Sequence, residues 1–341
     1  MGGNHTSKKR RKKNRSYGGA PIEIVQKRCA ERDEEARKSA RGLYARKPRA
    51  MAIPESLGEI NEFAFEWDSK PISLTTEEQI ASKVVRKGEF GWLDEDRVEQ
   101  IGKLVEDTEM NLDQALSLRS ALLQQKTVYT HRRLQSRSRA LTRLYKDGVS
   151  VVDLSKRFDF PPMNIFRTIL KEMGWSKSRI KESLRRPSKM NEREREEFEA
   201  AEAADRVSNV DQSETHERAD LFEEILADWF EERGVRIRRQ NEMVDEQMNE
   251  HGRPVRTPDL LFLDAVEING EPVTWMDAKH FYGADVDFQR KKVAKQVDRY
   301  VEEWGQGAVV FRHGFCANVH ISGAVLLDSS PLDLSRLIGD D

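Results

Sequence analysis

Two apolar runs joined by an Asn-Gly dipeptide constrain the fold of this chain more than any other feature. The runs cover residues 260–263 and 273–279, and Asn269 and Gly270 lie between them. Such a dipeptide between apolar runs is a strong signal for a β-hairpin, because both residues adopt positive φ readily. The sequence therefore predicts two antiparallel strands whose outer ends lie side by side.

Three charged residues occur at those outer ends. Asp259 precedes the first strand, and Asp277 and Lys279 lie two residues apart on the second. Carboxylate oxygens are the ligands that Mg²⁺ and Mn²⁺ prefer, and a lysine beside them can orient a water molecule or stabilise negative charge on a phosphate. We therefore interpret these three residues as the metal-binding and catalytic set of a phosphodiesterase. A surface salt bridge between Asp277 and Lys279 is the alternative, which the preceding apolar pair Trp275-Met276 disfavours.

The register of the hairpin decides whether the three side chains share a face. A two-residue turn would pair Ile268 with Glu271. Side chains alternate along a strand, so that register puts Asp259 on the face opposite to Asp277 and Lys279. We therefore predict a three-residue loop with a bulge, or an irregular entry into the first strand, because a bulge returns all three to one face.

The segment 219–233 has the spacing of a core-facing helix. Its apolar residues follow the i, i+3, i+4, i+7, i+8 stripe and are Phe222, Ile225, Leu226, Trp229 and Phe230. Glu223 lies at the edge of this stripe, whereas Glu224 points away from it. We predict that Glu223 adds a carboxylate to the metal site; the alternative is that both glutamates are surface charges.

A second helix is predicted over residues 287–304, ahead of strands over residues 308–312 and 323–328. Gln296 and Tyr300 are one turn apart on this helix and share a side. Both can hydrogen-bond a phosphate or a carboxylate, so we add them to the candidate catalytic residues. Ordinary helix packing is the alternative.

Charge separates the middle of the chain into two blocks. Residues 126–189 contain 17 Lys or Arg against 5 Asp or Glu, a net charge of +12. Residues 191–232 contain 16 Asp or Glu against 4 Arg, a net charge of −12. A basic block is typical of a phosphate-binding surface, so the first block predicts contact with nucleic acid, with DNA favoured. Residues 187–217 are predicted to be an acidic connector, and a solvated helix is the favoured interpretation of the acidic block. The alternatives are that it repels DNA from the hinge or binds the basic face before substrate arrives.

Breaks at Gly148, Pro161 and Gly174 divide the basic block into three short helices. This is the pattern of a helix-turn-helix unit, and the third helix would present Asn164, Arg167, Thr168 and Lys171 on its free face. The residues predicted to bind nucleic acid are Arg132, Arg133, Arg143, Asn164, Arg167 and Lys171. The alternative is a small helical bundle with solvated charges.

These elements predict an α+β multidomain chain of 341 residues. The first part, residues 1–72, is a disordered basic tail, a polar helix over residues 22–45 and a linker over residues 46–72. A helical helix-turn-helix region over residues 73–186 follows, with Thr75 and Glu78 as its first capping box. The acidic connector covers residues 187–217, and an α/β domain with a mixed central sheet covers residues 218–335.

Composition and termini bear on the compartment. No apolar run is long enough to span a bilayer, and Cys29 and Cys316 lack zinc-ligand spacing, which favours a reduced intracellular compartment. The basic run from Lys8 to Lys13 predicts a nuclear localisation signal, and hence a protein of the nucleus, with the cytoplasm as a further location. A solvated tail without a specific role is one alternative. N-myristoylation at Gly2, with the basic run as a second membrane signal, is a less favoured one.

Residues from about 75 to 334 resemble the TPD-motif proteins, the codanin-interacting nuclease family. The matching residues are Thr257-Pro258-Asp259, Trp275 with Lys279, Gln296 with Tyr300, Gly314-Phe315, and Leu184-Arg185 with Pro187-Ser188. The resemblance implies a helix-turn-helix half followed by a restriction-endonuclease-like domain of the PD-(D/E)xK nuclease superfamily. It also implies a nuclear or cytoplasmic protein that can bind a codanin-like chromatin-assembly regulator.

The resemblance implies the same site residues. Asp259, Asp277 and Lys279 take the metal and catalytic positions, and in the family the second of these can be Glu in place of Asp. Glu223 takes the helix carboxylate, and Gln296 with Tyr300 takes the helix motif of RecB-like members.

Three functions are compatible with the sequence. The first is a Mg²⁺- or Mn²⁺-dependent nuclease acting on DNA or structured RNA. The second is a catalytically inactive adaptor that binds nucleic acid and a codanin-like partner, and the third is a sequence-specific DNA-binding regulator. The complete set of Asp259, Asp277 and Lys279 favours the nuclease.

Overall fold

A computed structural model describes residues 22–208 and 213–338 of the chain. Within these residues the α-helices are α1 (Ile22–Arg41), α2 (Leu74–Val84), α3 (Glu95–Val105), α4 (Leu112–Gln135), α5 (Ser138–Lys146), α6 (Val151–Phe158), α7 (Pro162–Glu172), α8 (Lys177–Arg185), α9 (Glu192–Ala203), α10 (Ser213–Glu231), α11 (Gln240–His251), α12 (Asp287–Trp304) and α13 (Ser335–Ile338). The strands are β1 (Glu62–Phe65), β2 (Ile237–Arg239), β3 (Leu260–Ile268), β4 (Glu271–Lys279), β5 (Gly307–Phe311) and β6 (Ala324–Asp328). None of the described helices has the length and apolar character needed to cross a membrane.

The described strands form one mixed six-stranded sheet, which confirms the predicted mixed α/β class. The order along its main path is β1-β3-β4-β5-β6, and β2 pairs with β3 off this path. β3 is antiparallel to β2 and β4, whereas β1 with β3, β4 with β5, and β5 with β6 are parallel. Parallel neighbours need a crossover connection, and α12 supplies the one between β4 and β5. The carboxyl ends of β4, β5 and β6 therefore lie along one edge of the sheet.

The sheet separates two hydrophobic cores. On one face α12 and the helices α2 to α4 pack against Trp275, Val309 and Phe311. On the other face α10 packs against Met276 and Val310. A third core is formed by α5 to α9 with the last turn of α4. The helical region predicted over residues 73–186 is thus divided between the sheet and a separate helical bundle.

Residues 46–72, predicted to be a linker, contribute to the sheet instead. Strand β1 from this segment pairs in parallel with β3. Trp67 is 2% exposed, its indole Nε1 donates to Asp328 O at 2.9 Å, and its ring lies 5.3 Å from that of Trp229. No periodic pattern is visible in the sequence here, because β1 has only four residues and alternates exposed with half-buried positions.

The polar helix predicted over residues 22–45 is present as α1, and one side of it is buried. Ala36 and Ala40 are each 2% exposed, and Ala36 O accepts a hydrogen bond from Gln306 N at 3.0 Å. Gly305 has φ +84°, and a Cβ there would lie 2.4 Å from Ala40 N. Only glycine permits this approach, so the helix is held against the end of α12.

Two helices differ in detail from the prediction. α2 begins earlier than expected, because Ser73 Oγ accepts a hydrogen bond from Thr76 N at 3.3 Å and is the N-cap, whereas Thr75 is exposed. In the acidic connector, α9 is anchored in the third core through Phe198 and Ala201, which are 8% and 0% exposed. α9 is therefore an acidic helix that is partly buried, whereas the sequence predicted a fully solvated helix.

The three short helices predicted over the basic block are present as α5, α6 and α7. Ser150 Oγ accepts from Asp153 N at 3.1 Å and caps α6. Gly148 and Gly174 have φ of +97° and +89° and end the helices before them. The local capping chemistry therefore determined these boundaries.

Glu77 on α2 is a buried carboxyl outside the predicted site, and it makes stability depend on pH. Its Oε1 accepts from Asp285 N at 2.9 Å, and its Oε2 has no hydrogen-bond partner among the described residues. Burial raises the pKa of Glu77 above its ordinary value of 4.5. The folded chain therefore holds this proton more tightly than the unfolded chain, and its contribution to stability is lost as pH rises above about 4.5.

We expect Glu77→Gln to remove this contribution, since glutamine keeps the shape without the charge. The free energy of unfolding, measured by denaturant titration across this pH range, should then fall less steeply with rising pH than in the wild type. Glu78→Gln, at the exposed neighbouring position, serves as the control and should follow the wild type. Identical slopes for the Glu77 variant and the wild type would contradict this account.

Candidate active site

The turn of the β3–β4 hairpin has two residues. Ile268 pairs with Glu271, and Asn269 and Gly270 have φ of +53° and +77°. Positive φ at both central residues is the type I′ turn that suits the twist of a hairpin. The predicted three-residue loop is therefore wrong, and the strand is irregular between Leu261 and Val266, inside β3, where the prediction placed the irregularity at its entry.

The register of the hairpin shifts between its two ends. Near the turn Val266 pairs with Val273, whereas farther along Leu261 pairs with Trp275. Over this interval β3 advances by five residues and β4 by two, so β3 carries three extra residues. An odd number of extra residues reverses the face that β3 presents relative to β4. Continued by two residues, the register sets Asp259 opposite Asp277 and on the same face.

Asp264 holds the irregular part of β3. Its side chain is 0% exposed, and it accepts hydrogen bonds from Arg236 N at 3.0 Å, from Arg236 Nε at 3.0 Å and from Asn61 N at 3.0 Å. Burial alone would raise the pKa of Asp264, but these hydrogen bonds hold it below its ordinary value. β1 and β2 both begin beside this point, directly after Asn61 and Arg236. The carboxylate therefore satisfies backbone donors that neither strand pairs.

Asp259 is fixed in position by two hydrogen bonds. It is 6% exposed, its Oδ1 accepts from Gln240 Nε2 at 2.7 Å and its Oδ2 accepts from Ala278 N at 2.6 Å. Burial and the repulsion of Asp277 raise its pKa well above the ordinary value. A carboxyl of this kind binds a proton or a cation readily.

Asp277 is fully buried and lies beside Lys279. Its Oδ1 accepts from Gln296 Nε2 at 3.0 Å, and its Oδ2 forms an ion pair with Lys279. Among the described residues, Oδ2 has no hydrogen-bond donor apart from the Lys279 ammonium. Burial opposes the charge of Lys279, but attraction by Asp277 and Asp259 outweighs it and raises the lysine pKa. The pair is therefore buried, with Asp277 at 0% exposure, and is not the surface salt bridge weighed against the site.

Gln296 and Tyr300 form hydrogen bonds with other protein groups of the site. Gln296 Nε2 lies 3.0 Å from the Tyr300 hydroxyl as well as from Asp277, and that hydroxyl donates to Thr257 O at 3.1 Å. The helix α12 is thereby connected to both strands of the hairpin. These two residues are positioning residues for Asp277 and for the segment that leads to Asp259.

The structure distinguishes the two glutamates on α10. Glu224 is exposed and forms an ion pair with Arg336 at 3.4 Å. Glu223 is half-buried, and burial, together with repulsion by Asp220 and Asp277, raises its pKa to about 7. Glu223 is therefore close enough to Asp277 and Lys279 to interact with them electrostatically, and its role as a metal ligand stays a prediction.

The carboxylates of the site can bind a hard divalent cation that takes only a few ligands from the protein. Within the described residues, no group of three or more His, Cys, Asp or Glu is arranged to hold a metal ion. Asp259 and Asp277 nevertheless face each other, and Asp277 Oδ2 has the Lys279 ammonium as its one partner among the described residues. Mg²⁺ keeps several waters and commonly binds through one or two carboxylates, so these two residues fit it, with Glu223 nearby.

The residues predicted to bind nucleic acid divide into two sets. Arg132, Arg133, Arg143 and Lys171 are exposed. Asn164 Nδ2 and Arg167 Nη1 instead donate to Ser208 Oγ and O at 2.7 and 3.0 Å. Thr168, predicted on the free face of α7, is 3% exposed and donates to Asn164 O at 2.8 Å. The prediction of a wholly free face on α7 is therefore wrong, because the chain that follows α9 returns along it.

Sequence reasoning missed several residues of the site. Gln240 binds Asp259 through both its backbone and its side chain, but it begins α11, whose polar sequence showed no clear period. At the carboxyl ends of β4 and β5, Arg312 Nη1 lies 2.7 Å from His280 Nε2. Burial and the charge of Arg312 lower the pKa of His280 to about 3 and of His313 to about 4. Both imidazoles are neutral at pH 7, and the only sequence signal was that His280 follows Lys279.

Comparisons with known proteins agree with the TPD resemblance. A family model described as a protein of unknown function with the TPD sequence motif matches residues 190–330, which contain the hairpin, Glu223 and α12. The chain is also 28% identical over 119 residues to the uncharacterized protein L539 of Acanthamoeba polyphaga mimivirus. That alignment covers 34% of this chain and 42% of the viral protein. A search of solved structures gives no significant match.

Proposed function

We propose that this chain is a Mg²⁺- or Mn²⁺-dependent nuclease with a restriction-endonuclease-like fold of the PD-(D/E)xK superfamily. Its substrate would be the phosphodiester bonds of DNA or structured RNA. The observation that carries the proposal is the bulge in β3, which sets the buried Asp259 opposite the buried Asp277 beside Lys279. A purely structural hairpin has no need of two buried carboxylates on one face, since burying like charges is unfavourable.

Electrostatics support a cation at this position. Asp259, Asp277 and Glu223 are three carboxyls, and Lys279 is the one ammonium whose attraction opposes the raised pKa of both Asp259 and Glu223. Burial first, and then repulsion by neighbouring carboxyls, keeps the pKa of Asp259 and of Glu223 raised despite this attraction. A divalent cation would remove the remaining repulsion and keep both groups ionised.

The residues of the site have separate tasks in this proposal. Mg²⁺ bound at Asp259 and Asp277 would supply Lewis acidity to the scissile phosphate and to the attacking water. Lys279 keeps its proton because its pKa is raised, so its charge can stabilise the negative charge that develops on the phosphate. Gln296 holds Asp277 Oδ1, while Gln240 and Ala278 N hold Asp259. Fixed carboxylates lose little freedom when substrate binds.

Cleavage of labelled substrates tests the proposal. The full chain is incubated with single-stranded, duplex and branched nucleic acid in Mg²⁺, in Mn²⁺ or in chelator. We expect cutting in either metal and none in chelator. Binding of these substrates without cutting in any metal would contradict the nuclease.

Metal binding can be measured without activity. We expect Mn²⁺ at about 100 times its Kd to raise the free energy of unfolding of the wild type by about 2.7 kcal/mol. Asp259→Ala should lose this gain, because it removes one of the two facing carboxylates. Glu224→Ala, which changes an exposed carboxylate on α10, should keep it. An equal gain in the Asp259 variant would place the ion elsewhere.

A second candidate function is favoured by one observation. In the described residues the ammonium of Lys279 already pairs with Asp277 Oδ2, and no preformed cluster of metal ligands is present. This arrangement also suits a nuclease fold kept as an adaptor that binds nucleic acid and a protein partner, such as a codanin-like regulator. Absence of Mn²⁺ stabilisation together with absence of cleavage would favour the adaptor.

Nuclear localisation is a further part of the proposal. The basic run from Lys8 to Lys13 and Gly2 lie outside the described residues. The support is the sequence alone, since such runs are recognised as nuclear localisation signals and a nuclease of DNA needs access to it.

A further inference from the structure

A pocket lies between the end of α4, α7 and α8, and we call it the basic pocket. It encloses about 570 Å³ and is lined by the cationic residues Arg167, Lys171, Lys177, Lys181 and Arg185. Its other lining residues include His131, Gln135 and Asn164, and no acidic side chain of the described residues lines it. A concave surface lined by one sign of charge concentrates ligands of the opposite sign.

Arg167 donates to Ser208 O, but the other four cations of this pocket have no such role in the fold. Lys171, Lys177, Lys181 and Arg185 are exposed, and none of them forms an ion pair within residues 22–208 and 213–338. On α8 the last three are spaced four residues apart and so lie on one side of the helix. Like charges at this spacing destabilise a helix by roughly 0.2–0.5 kcal/mol for each pair. An anionic ligand would relieve this repulsion.

We propose that the basic pocket binds the backbone of single-stranded nucleic acid. Its volume lies in the range of pockets that enclose one small ligand, about 300–1,000 Å³, which suits a nucleotide or two of one strand. A duplex instead presents two strands separated by grooves of about 6 and 12 Å. Ile180 and Leu184 add apolar surface to the lining, against which a base or sugar can pack. Positive grooves with apolar surface are the usual means of holding a single strand.

This inference deepens the proposed function by naming the form of nucleic acid that is held beside the nuclease site. The inference rests on the proposed function only for the class of ligand, which is nucleic acid. Binding in the basic pocket requires neither a metal ion nor cleavage. Binding can therefore be measured in chelator with the Asp277→Asn chain, in which hydrolysis is removed. A failure of catalysis then leaves the binding test intact.

The experiment compares two full-length double variants in fluorescence anisotropy with labelled oligo(dT). Lys177→Glu/Lys181→Glu reverses two charges in the basic pocket. Lys83→Glu/Lys103→Glu makes the same change of net charge at exposed positions on α2 and α3. Lys177 is the first residue of α8 after the N-cap Ser176, where an acidic residue favours a helix, so the fold of the pocket variant should be kept and is checked by thermal unfolding.

We expect the pocket variant to raise the Kd for oligo(dT) by at least about tenfold and the control variant by less than about threefold. The slope of log K against log salt should fall by about 1.4 in the pocket variant, since each neutralised phosphate of a single strand contributes about 0.7. A hairpin duplex with the same number of phosphates should bind the parent chain more weakly than oligo(dT). Equal losses in both variants, or tighter binding of the duplex, would overturn the proposal.

Discussion

Asp277→Ala is expected to abolish metal-dependent cleavage, with a loss on the order of 10³-fold or more. The reason is that a bound metal ion contributes several kcal/mol to the stabilisation of charge in the transition state, and each 1.4 kcal/mol is about tenfold in rate. Asp277 is buried, and among the described residues its Oδ2 is paired with the Lys279 ammonium alone. The measurement is initial cleavage rate in Mg²⁺ on the substrate that the wild type prefers.

Three further variants make this prediction specific. Asp277→Asn keeps the shape and the hydrogen bond from Gln296, so it should fold and still lose activity. Gln296→Ala removes a positioning contact and should lose about 10- to 100-fold, as is usual for groups that orient metal ligands. Glu224→Ala should retain full activity. An Asp277→Asn chain that cuts as well as the wild type would exclude this site as the nuclease centre.

Asp264→Ala is expected to destabilise the fold by about 3 kcal/mol, because it removes the acceptor of two backbone N–H groups and of the half-exposed Arg236 side chain, and each buried donor left unsatisfied costs roughly 1–3 kcal/mol. Arg236 and Asn61 lose their acceptors together. The free energy of unfolding by denaturant measures the loss. Because Asp264 has a pKa below its ordinary value, its contribution is present at neutral pH and is lost as pH falls through that lowered pKa.

The same change should weaken the active site from a distance. Asp264 holds the bulge that sets Asp259 opposite Asp277, so the variant that remains folded should also lose stabilisation by Mn²⁺. Glu224→Ala removes an exposed ion pair with Arg336 and should cost at most about 1 kcal/mol. Stability and metal response equal to those of the wild type would show that the bulge does not depend on Asp264.

The sequence determined the elements whose signals are local. Asn269-Gly270 determined the hairpin, since both residues take positive φ. Ser150, Gly148 and Gly174 determined the ends of the helices around α6 and α7, because caps depend on neighbouring residues alone. The stripe on α10 distinguished Glu223 from Glu224, because burial follows the helical period.

The tertiary structure decided what depends on distant residues. The three extra residues of β3 are held by Arg236 and Asn61, which lie far from Asp264 in the sequence. β1 is too short to show a periodic pattern of apolar residues. It forms a strand because it pairs in parallel with β3. Gln240 reaches Asp259 only after α11 folds beside the hairpin. Caps, turns and helical stripes can therefore be predicted from the sequence. Register shifts and the pairing of remote charges cannot, because the contacts that stabilise them join residues that only folding brings together.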